Sequence, residues 1–196
     1  MQKITPFLWF DSNAEEAMDF YVSVFKDSKI VNVARYGEAG PGPKGTVMVG
    51  TFEIEGQQFL ALNGGPIYQF TPAISFVVNC ETQQEVDHYW DSLLEGGSPQ
   101  QCGWLTDKLG VSWQIVPTIL VELMRDKDPA KAKRVMEAML EMVKIDIAGL
   151  QRAYEGGSDV APSARRLDRR RLGGGSSRIA GEPPAIQPAS GQRYVG

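Results

Sequence analysis

Histidine and cysteine are scarce in this sequence of 196 residues, which contains one His and two Cys. A zinc site or a Ser-His-Asp type of nucleophilic centre would have to be built around His88 alone, so both are disfavoured. Cys80 and Cys102 are too few for a disulfide framework and lack CxxC spacing, and we interpret both as reduced thiols. The composition therefore favours a function that needs no histidine-rich centre.

Long hydrophobic runs are also absent. No stretch of about 18 apolar residues occurs, and MQKITPFLWF lacks the order of a signal peptide, so we expect a cytoplasmic protein without membrane contact. The net charge is −4, but the segment from Gly156 to Gly196 holds seven arginines against three acidic residues, which leaves −8 for residues 1–155. Since an acidic body does not suit a nucleic-acid groove, we expect no nucleic-acid partner.

The segment 156–196 is rich in Gly, Pro, Ser and Arg and has neither a helical nor a strand period. Such a composition buries too little apolar surface to offset the entropy of ordering, so we predict a disordered tail. The arginine run at 165–171 leaves open a contact with RNA or an acidic lipid, but a solvated tail is the interpretation we favour. We expect the folded domain to span residues 1–155.

Two segments of that domain resemble each other without a gap. The first, PFLWFDSNAEEAMDFYVSVF, begins at Pro6, and the second, SFVVNCETQQEVDHYWDSLL, begins at Ser75. Apolar runs predict strands over Ile4 to Phe10 and Ala73 to Val78, and each run leads into an apolar stripe with helical spacing. The sequence therefore predicts an internal repeat of one strand and one helix.

Start signals and turn signals complete the two copies. Ser12 with Glu15, and Thr82 with Glu85, are capping-box patterns that predict where the helices begin. Turn residues separate the β-type stretches that follow, at 29–36, 46–54 and 58–62 in the first copy and at 100–105 and 111–116 in the second. Each copy thus reads as βα followed by antiparallel strands.

The pattern becomes helical from residue 118 to residue 155. Three short helices are predicted, the second starting at Asp128-Pro129. We assign an apolar stripe that includes Met136 and Met139 to core packing or to a dimer contact rather than to a ligand surface. The predicted class is α+β, with modules at about 3–65 and 72–117 and C-terminal helices at 118–155.

Five phrases of the sequence carry a family resemblance: FLALNGGP, ISFVVNC, EVDHYW, CGWLTDKLGVSWQIVP and EAMLEMVKIDIAGL. With the duplicated module, they resemble the PhnB-like (demethylubiquinone methyltransferase-like) branch of the vicinal oxygen chelate superfamily over about residues 3–155. The resemblance implies two tandem βαβββ modules of the glyoxalase/bleomycin resistance/dihydroxybiphenyl dioxygenase fold, whose curved sheets enclose a cleft that is often completed across a homodimer. We therefore expect a homodimer with a small-molecule ligand in that cleft.

Metal-dependent members of the superfamily hold a divalent cation on His and Glu side chains of the strands. Carried over by the resemblance, these positions fall on Pro6, Ser75, Ala61 and Gln114, a neutral and weakly donating set. We therefore predict a protein with no bound metal. We expect no other cofactor, because the sequence has no Gly-rich turn between a first strand and helix for a nucleotide-type methyl donor.

Without a metal ion, the cleft is expected to bind its ligand through uncharged side chains. The candidate ligand-binding residues are hydrogen-bonding groups and aromatic walls, with core packing as the alternative role of the tryptophans: Asn63, Ser75, Gln114, Trp9, Trp104 and Trp113. No catalytic residue is identified. The preferred hypothesis is a cytoplasmic small-molecule-binding protein or metal-independent enzyme. The alternatives are a non-catalytic dimeric module, a methyltransferase-type activity, and a divalent-metal enzyme of the glyoxalase or dioxygenase kind.

Overall fold

A computed structural model of the chain describes residues 2–40 and 42–157, and the predicted tail beyond them lies outside the described residues. The elements of the first module are β1 (Phe7–Phe10), α1 (Ala14–Val24), β2 (Ser28–Arg35), β3 (Val47–Ile54) and β4 (Gln57–Asn63). Those of the second are β5 (Phe76–Cys80), α2 (Gln83–Leu94), β6 (Ser98–Pro99), β7 (Trp104–Thr106) and β8 (Ser112–Pro117). Three further helices follow: α3 (Thr118–Met124), α4 (Pro129–Leu140) and α5 (Ile147–Glu155).

The two modules have the same strand topology. Their sheets run in the orders β1-β4-β3-β2 and β5-β8-β7-β6, and in each the first strand is parallel to its neighbour while the remaining pairs are antiparallel. This confirms the α+β class and the tandem βαβββ modules. Two strands are shorter than predicted, since β1 begins at Phe7 instead of Ile4 and the stretch predicted at 100–105 becomes a strand only from Trp104, as part of β7. The two-residue strand β6 was not predicted.

The helix starts agree with the capping patterns in one module only. The box at Thr82 and Glu85 forms, with the Thr82 hydroxyl accepting from the Glu85 N–H at 3.2 Å and the Glu85 carboxylate accepting from the Thr82 N–H at 3.3 Å. The box predicted at Ser12 is wrong. The first N–H of α1, that of Ala14, donates to the side-chain oxygen of Asn63 at 2.8 Å, because β4 ends beside the helix start.

A buried carboxylate joins the two modules. Asp107, in the turn between β7 and β8, accepts hydrogen bonds from the Tyr21 hydroxyl and the Trp113 indole, both at 2.9 Å, and from the N–H groups of Leu109 and Val111. It is 3% exposed. Burial raises the pKa of Asp107, and the four hydrogen bonds oppose that shift. Because Tyr21 lies on α1 of the first module, this contact fixes the modules against each other.

The C-terminal helices have a small core of their own. Its buried members are Leu120, Val135, Ala138, Met142, Ile145, Leu150 and Ala153. The apolar stripe on and after α4 is only partly used in this core, since Met136, Leu140 and Val143 are exposed. Within residues 2–40 and 42–157, no helix has the length and apolarity needed to cross a bilayer.

Candidate functional site

Each sheet packs one face against the helices and leaves the other face open. In β8, Trp113 and Ile115 are buried on the helix side, and Gln114 between them is partly exposed on the other side. In β5, Val77 is 50% exposed and pairs in register with Gln114. Because side chains alternate along a strand, Val77 and Gln114 lie on the open face of the second sheet.

A hydrogen-bonded pair lies on that open face. The side-chain N–H of Gln114 donates to the Ser75 hydroxyl oxygen at 2.9 Å. This bond leaves the amide oxygen of Gln114 as an acceptor and the hydroxyl hydrogen of Ser75 as a donor. Trp104 on β7 is the register partner of Gln114, and side chains so placed have Cβ atoms about 5 Å apart. Polar and aromatic recognition groups thus stand next to each other.

A hollow of 690 Å³ is lined by Trp104, the register partner of Gln114. Its walls are Pro72, Pro99, Gln100, Gln101, Cys102, Trp104 and Val143. The volume is within the usual range of about 300–1,000 Å³ for small-molecule sites. Sequence reasoning did not select Gln100 and Gln101 as site residues, because it assigned 100–105 to a strand. The structure has a turn there between β6 and β7, in which the N–H of Gln100 donates to the carbonyl oxygen of Trp104 at 2.8 Å.

Trp9 occupies the open face of the first sheet. Its indole N–H donates to the carbonyl oxygen of Gly65 at 2.8 Å, and its ring meets that of Tyr68 edge to face at 5.0 Å. It is half-buried, and within the described part of the chain no hydrogen bond or ring contact joins it to Gln114.

Asn63 and Trp113 have partners in the fold. Asn63 accepts from Ala14 at the start of α1 and donates to the carbonyl oxygen of Val47 at 2.9 Å. Trp113 is buried and donates to Asp107. The structure therefore brings together Ser75, Gln114 and Trp104, and it places Asn63, Trp113 and Trp9 elsewhere.

The metal-ligand positions of the superfamily do not form a metal site in this chain. Ala61 is fully buried and pairs with Gly50, which lies against Met18 of α1, so Ala61 faces the helix and not the open face. Its neighbours on the open side are Leu60 and Leu62, which carry no donor atom. Among residues 2–40 and 42–157, no group of three or more His, Cys, Asp or Glu side chains has a metal-binding arrangement. The residues present do not fit a divalent cation at these positions.

A nucleotide-type methyl donor does not fit either. The connection from β1 to α1 is Asp11-Ser12-Asn13 and has no glycine, whereas a phosphate-binding turn needs close approach of the backbone. Only one strand pair in each sheet is parallel, so no doubly wound crevice is present in the described modules.

The thiols and the histidine lack the features of a nucleophilic centre. Burial, with a smaller effect of Glu85, raises the pKa of Cys80 to about 12, so this thiol stays protonated at neutral pH. His88 is exposed on α2 with its Nε2 3.1 Å from the carbonyl oxygen of Val24.

Comparison with known proteins gives consistent matches. Residues 2–116 match the family described as 3-demethylubiquinone-9 3-methyltransferase. The solved structure of the PhnB protein from Bacillus cereus is 43% identical, with a TM-score of 0.56, covering 60% of this chain and 100% of that chain. A protein from Pseudomonas aeruginosa is 22% identical, with a TM-score of 0.51 over 60% of this chain and 98% of that chain, which shows the fold alone. No curated protein sequence gives a significant match.

Proposed function

The chain belongs to the 3-demethylubiquinone-9 3-methyltransferase family, a PhnB-like branch of the vicinal oxygen chelate superfamily, and from this premise we propose that it binds a small molecule on the open face of its second sheet. The observation that carries the proposal is the Gln114 and Ser75 pair beside Trp104, which itself lines a hollow of ligand size.

The pair suits an uncharged ligand. The amide oxygen of Gln114 accepts one hydrogen bond and the Ser75 hydroxyl donates another, so two adjacent polar atoms of a ligand are recognised together. Trp104 supplies a flat apolar wall for the rest of the molecule. A planar or aromatic compound with neighbouring oxygen atoms meets these requirements, and hydrogen bonds take the place of a metal ion in polarising it.

We further propose that a homodimer completes the site. Phe7 and Val77, on the open faces of the two sheets, are 52% and 50% exposed, and Leu140 on α4 is 54% exposed. Exposed apolar side chains of this kind favour contact with a second copy of the chain, which would bury their surface in an interface. A dimer that covers the open faces would also enclose Trp9. Light scattering should then give twice the chain mass of 21.5 kDa, and a monomer at micromolar concentration would contradict this part.

A thermal-shift screen tests the binding site. The panel contains quinones, catechols and other phenols, phosphonates and glycopeptide antibiotics, added to the full chain at saturating concentration. A ligand at a hundred times its Kd stabilises the folded state by about 2.7 kcal/mol, which raises Tm by roughly 5–10 °C. Gln114→Ala should weaken the binding of a compound from the panel by about 2- to 12-fold, since one hydrogen bond to the ligand, with a net contribution of about 0.5–1.5 kcal/mol, is lost.

Gln151→Ala is the matched control, because Gln151 is exposed on α5, away from both sheets. If Gln114→Ala and Gln151→Ala bind equally well, Gln114 is not part of the site. A panel that gives no stabilisation contradicts the proposal and supports the non-catalytic dimeric module. Stoichiometric nickel, zinc, iron or manganese in purified protein would contradict metal-independent binding.

A further inference from the structure

A second groove, of 910 Å³, runs along the free edge of β5. It lies between the turn joining β3 to β4 in the first module and helix α2 in the second. Its wall includes the consecutive residues 76–79 of β5, whose other edge is paired with β8. Ser75, Gln114 and Trp104 do not line it, so the hydrogen-bonded pair proposed above lies outside this groove. Its wall includes Val77, the register partner of Gln114.

Aromatic rings make up the inner wall of this groove, which we call the edge groove. They come from both modules: Phe25, Phe59, Phe76, Tyr89 and Trp113. The rings of Phe25 and Tyr89 stack with centroids 5.1 Å apart, and those of Phe59 and Phe76 meet edge to face at 5.2 Å. The faces of such rings carry negative electrostatic potential and attract cations.

The rim of the edge groove is acidic. Four carboxylates line it against one lysine: Asp27, Glu55, Glu81 and Glu85 against Lys26. Within the described residues the side chains of Asp27, Glu55 and Glu81 take part in no ion pair or hydrogen bond. Their charge is therefore available to a ligand.

Backbone geometry holds two of these carboxylates at one end. Glu55 and Gly56 have φ values of 46° and 78°, the left-handed pair of a tight type I′ hairpin turn. The N–H of Glu55 donates to the carbonyl oxygen of Asp27 at 2.8 Å, which fixes the two acidic residues next to each other. A non-glycine residue with positive φ is unfavourable, and here it places a carboxylate at the mouth of the groove.

Tyr89 lies in the negative electrostatic field of the rim carboxylates. The pKa of Tyr89 is raised first by burial and then by the negative charges of Glu55, Glu85 and Asp27, together with Cys80. Carboxylates from three separate segments thus act on one ring in the groove. A positive charge next to that ring would be attracted by the ring face and by the rim at once.

We propose that the edge groove binds a small organic cation, that is, a protonated or quaternary amine attached to an apolar body. The apolar body packs on the aromatic wall, and the charged nitrogen lies between Tyr89 and the carboxylates of Asp27 and Glu55. This ligand is positively charged, whereas the molecule expected beside Gln114 is neutral. One chain would therefore carry two chemically different sites.

An NMR titration of the full ¹⁵N-labelled chain tests this inference. The probe is benzyltrimethylammonium, and benzyl alcohol and benzoate serve as neutral and anionic comparisons with the same ring. The cation should shift amide signals of β5 and of the first turns of α2, bind at least about fivefold more tightly than benzyl alcohol, and weaken as NaCl rises from about 20 to about 500 mM.

A double variant tests whether the carboxylates of Asp27 and Glu55 bind the cation. Asp27→Asn with Glu55→Gln should lower the affinity for benzyltrimethylammonium by about fivefold or more. The control, Glu137→Gln with Glu141→Gln, removes the same net charge from α4 and its C-terminal end and should leave the affinity unchanged. Equal binding of the cation and benzyl alcohol, equal affinity in both double variants, or signal changes confined to residues outside the groove would each overturn the proposal. None of these outcomes bears on binding beside Gln114.

Discussion

Tyr21→Phe removes one hydrogen bond from the carboxylate that joins the two modules. Tyr21 is fully buried, its hydroxyl lies 2.9 Å from the Asp107 carboxylate, and its ring packs on Trp113 and Phe52. Phenylalanine keeps the ring and these contacts. The substitution therefore reports on the hydrogen bond alone.

The size of the effect follows from the charge and burial of Asp107. A hydrogen bond to a charged group contributes about 1.5–3 kcal/mol, and three other donors still satisfy the carboxylate after the change. We expect the free energy of unfolding to fall by about 1.5–3 kcal/mol, which lowers Tm by roughly 3–12 °C. Urea unfolding should show a lower midpoint with an unchanged slope.

The loss should also depend on pH. Burial raises the pKa of Asp107 in the folded state, and the bond from Tyr21 limits that rise, so the pKa should be higher still in the variant. A group whose pKa is raised in the folded state contributes its full stabilisation at a pH below its pKa in the unfolded state. This stabilisation is lost as the pH rises through its pKa in the folded state. The difference between wild type and variant should therefore be larger at about pH 7 than at about pH 4.

Tyr89→Phe is the matched control, since the Tyr89 hydroxyl has no hydrogen-bond partner in the described part of the chain and should change stability by less than about 0.5 kcal/mol. If Tyr21→Phe costs no more than Tyr89→Phe, or if its cost is the same at both pH values, the account of Asp107 as an ionised, hydrogen-bonded link between modules is wrong.

Two further predictions concern the start of α1 and the buried thiol of Cys80. Asn63→Ala should lower the free energy of unfolding in urea by about 1–3 kcal/mol, because the first N–H of α1 loses its acceptor. The control Asn79→Ala, on the exposed edge of β5, should change it by less than about 0.5 kcal/mol. Equal effects of the two substitutions would contradict the capping role of Asn63. Cys80 should resist alkylation by iodoacetamide at neutral pH in the folded protein, because burial raises its pKa to about 12. Mass mapping of the labelled peptides measures this, and alkylation of Cys80 at the rate of an unfolded thiol would refute it.

The repeat is the part of the fold that sequence reasoning predicted well. Short apolar runs, apolar stripes of helical spacing and capping-box residues are all local signals. The first two located both βα units, and the third located the capping box at Thr82. The N-terminus of α1 was predicted incorrectly because its acceptor is Asn63, 49 residues away from Ala14. A pattern read over a few residues cannot include a partner at that separation.

The candidate site was predicted in part for the same reason. Ser75 and Gln114 were both selected because the resemblance carries two ligand positions of the superfamily onto them, and the parallel pairing of β5 with β8 places them in contact. Asn63 was assigned to the cleft by alternation along β4, but alternation does not say which face meets the helix. The edge groove had no sequence signal, because its walls come from distant segments that meet only when the modules pack.

The sequence by itself determined the class of this protein: a duplicated strand and helix pattern, an acidic body, and too few imidazoles for a zinc centre, all of which depend on residue type and short spacing. Only the tertiary structure decided which polar groups are free to meet a ligand. Burial and hydrogen bonding are set by packing between elements far apart in the chain, so they leave Gln114 an unused acceptor, give Asn63 to a helix start, and bring Asp27 and Glu55 together at the mouth of a groove.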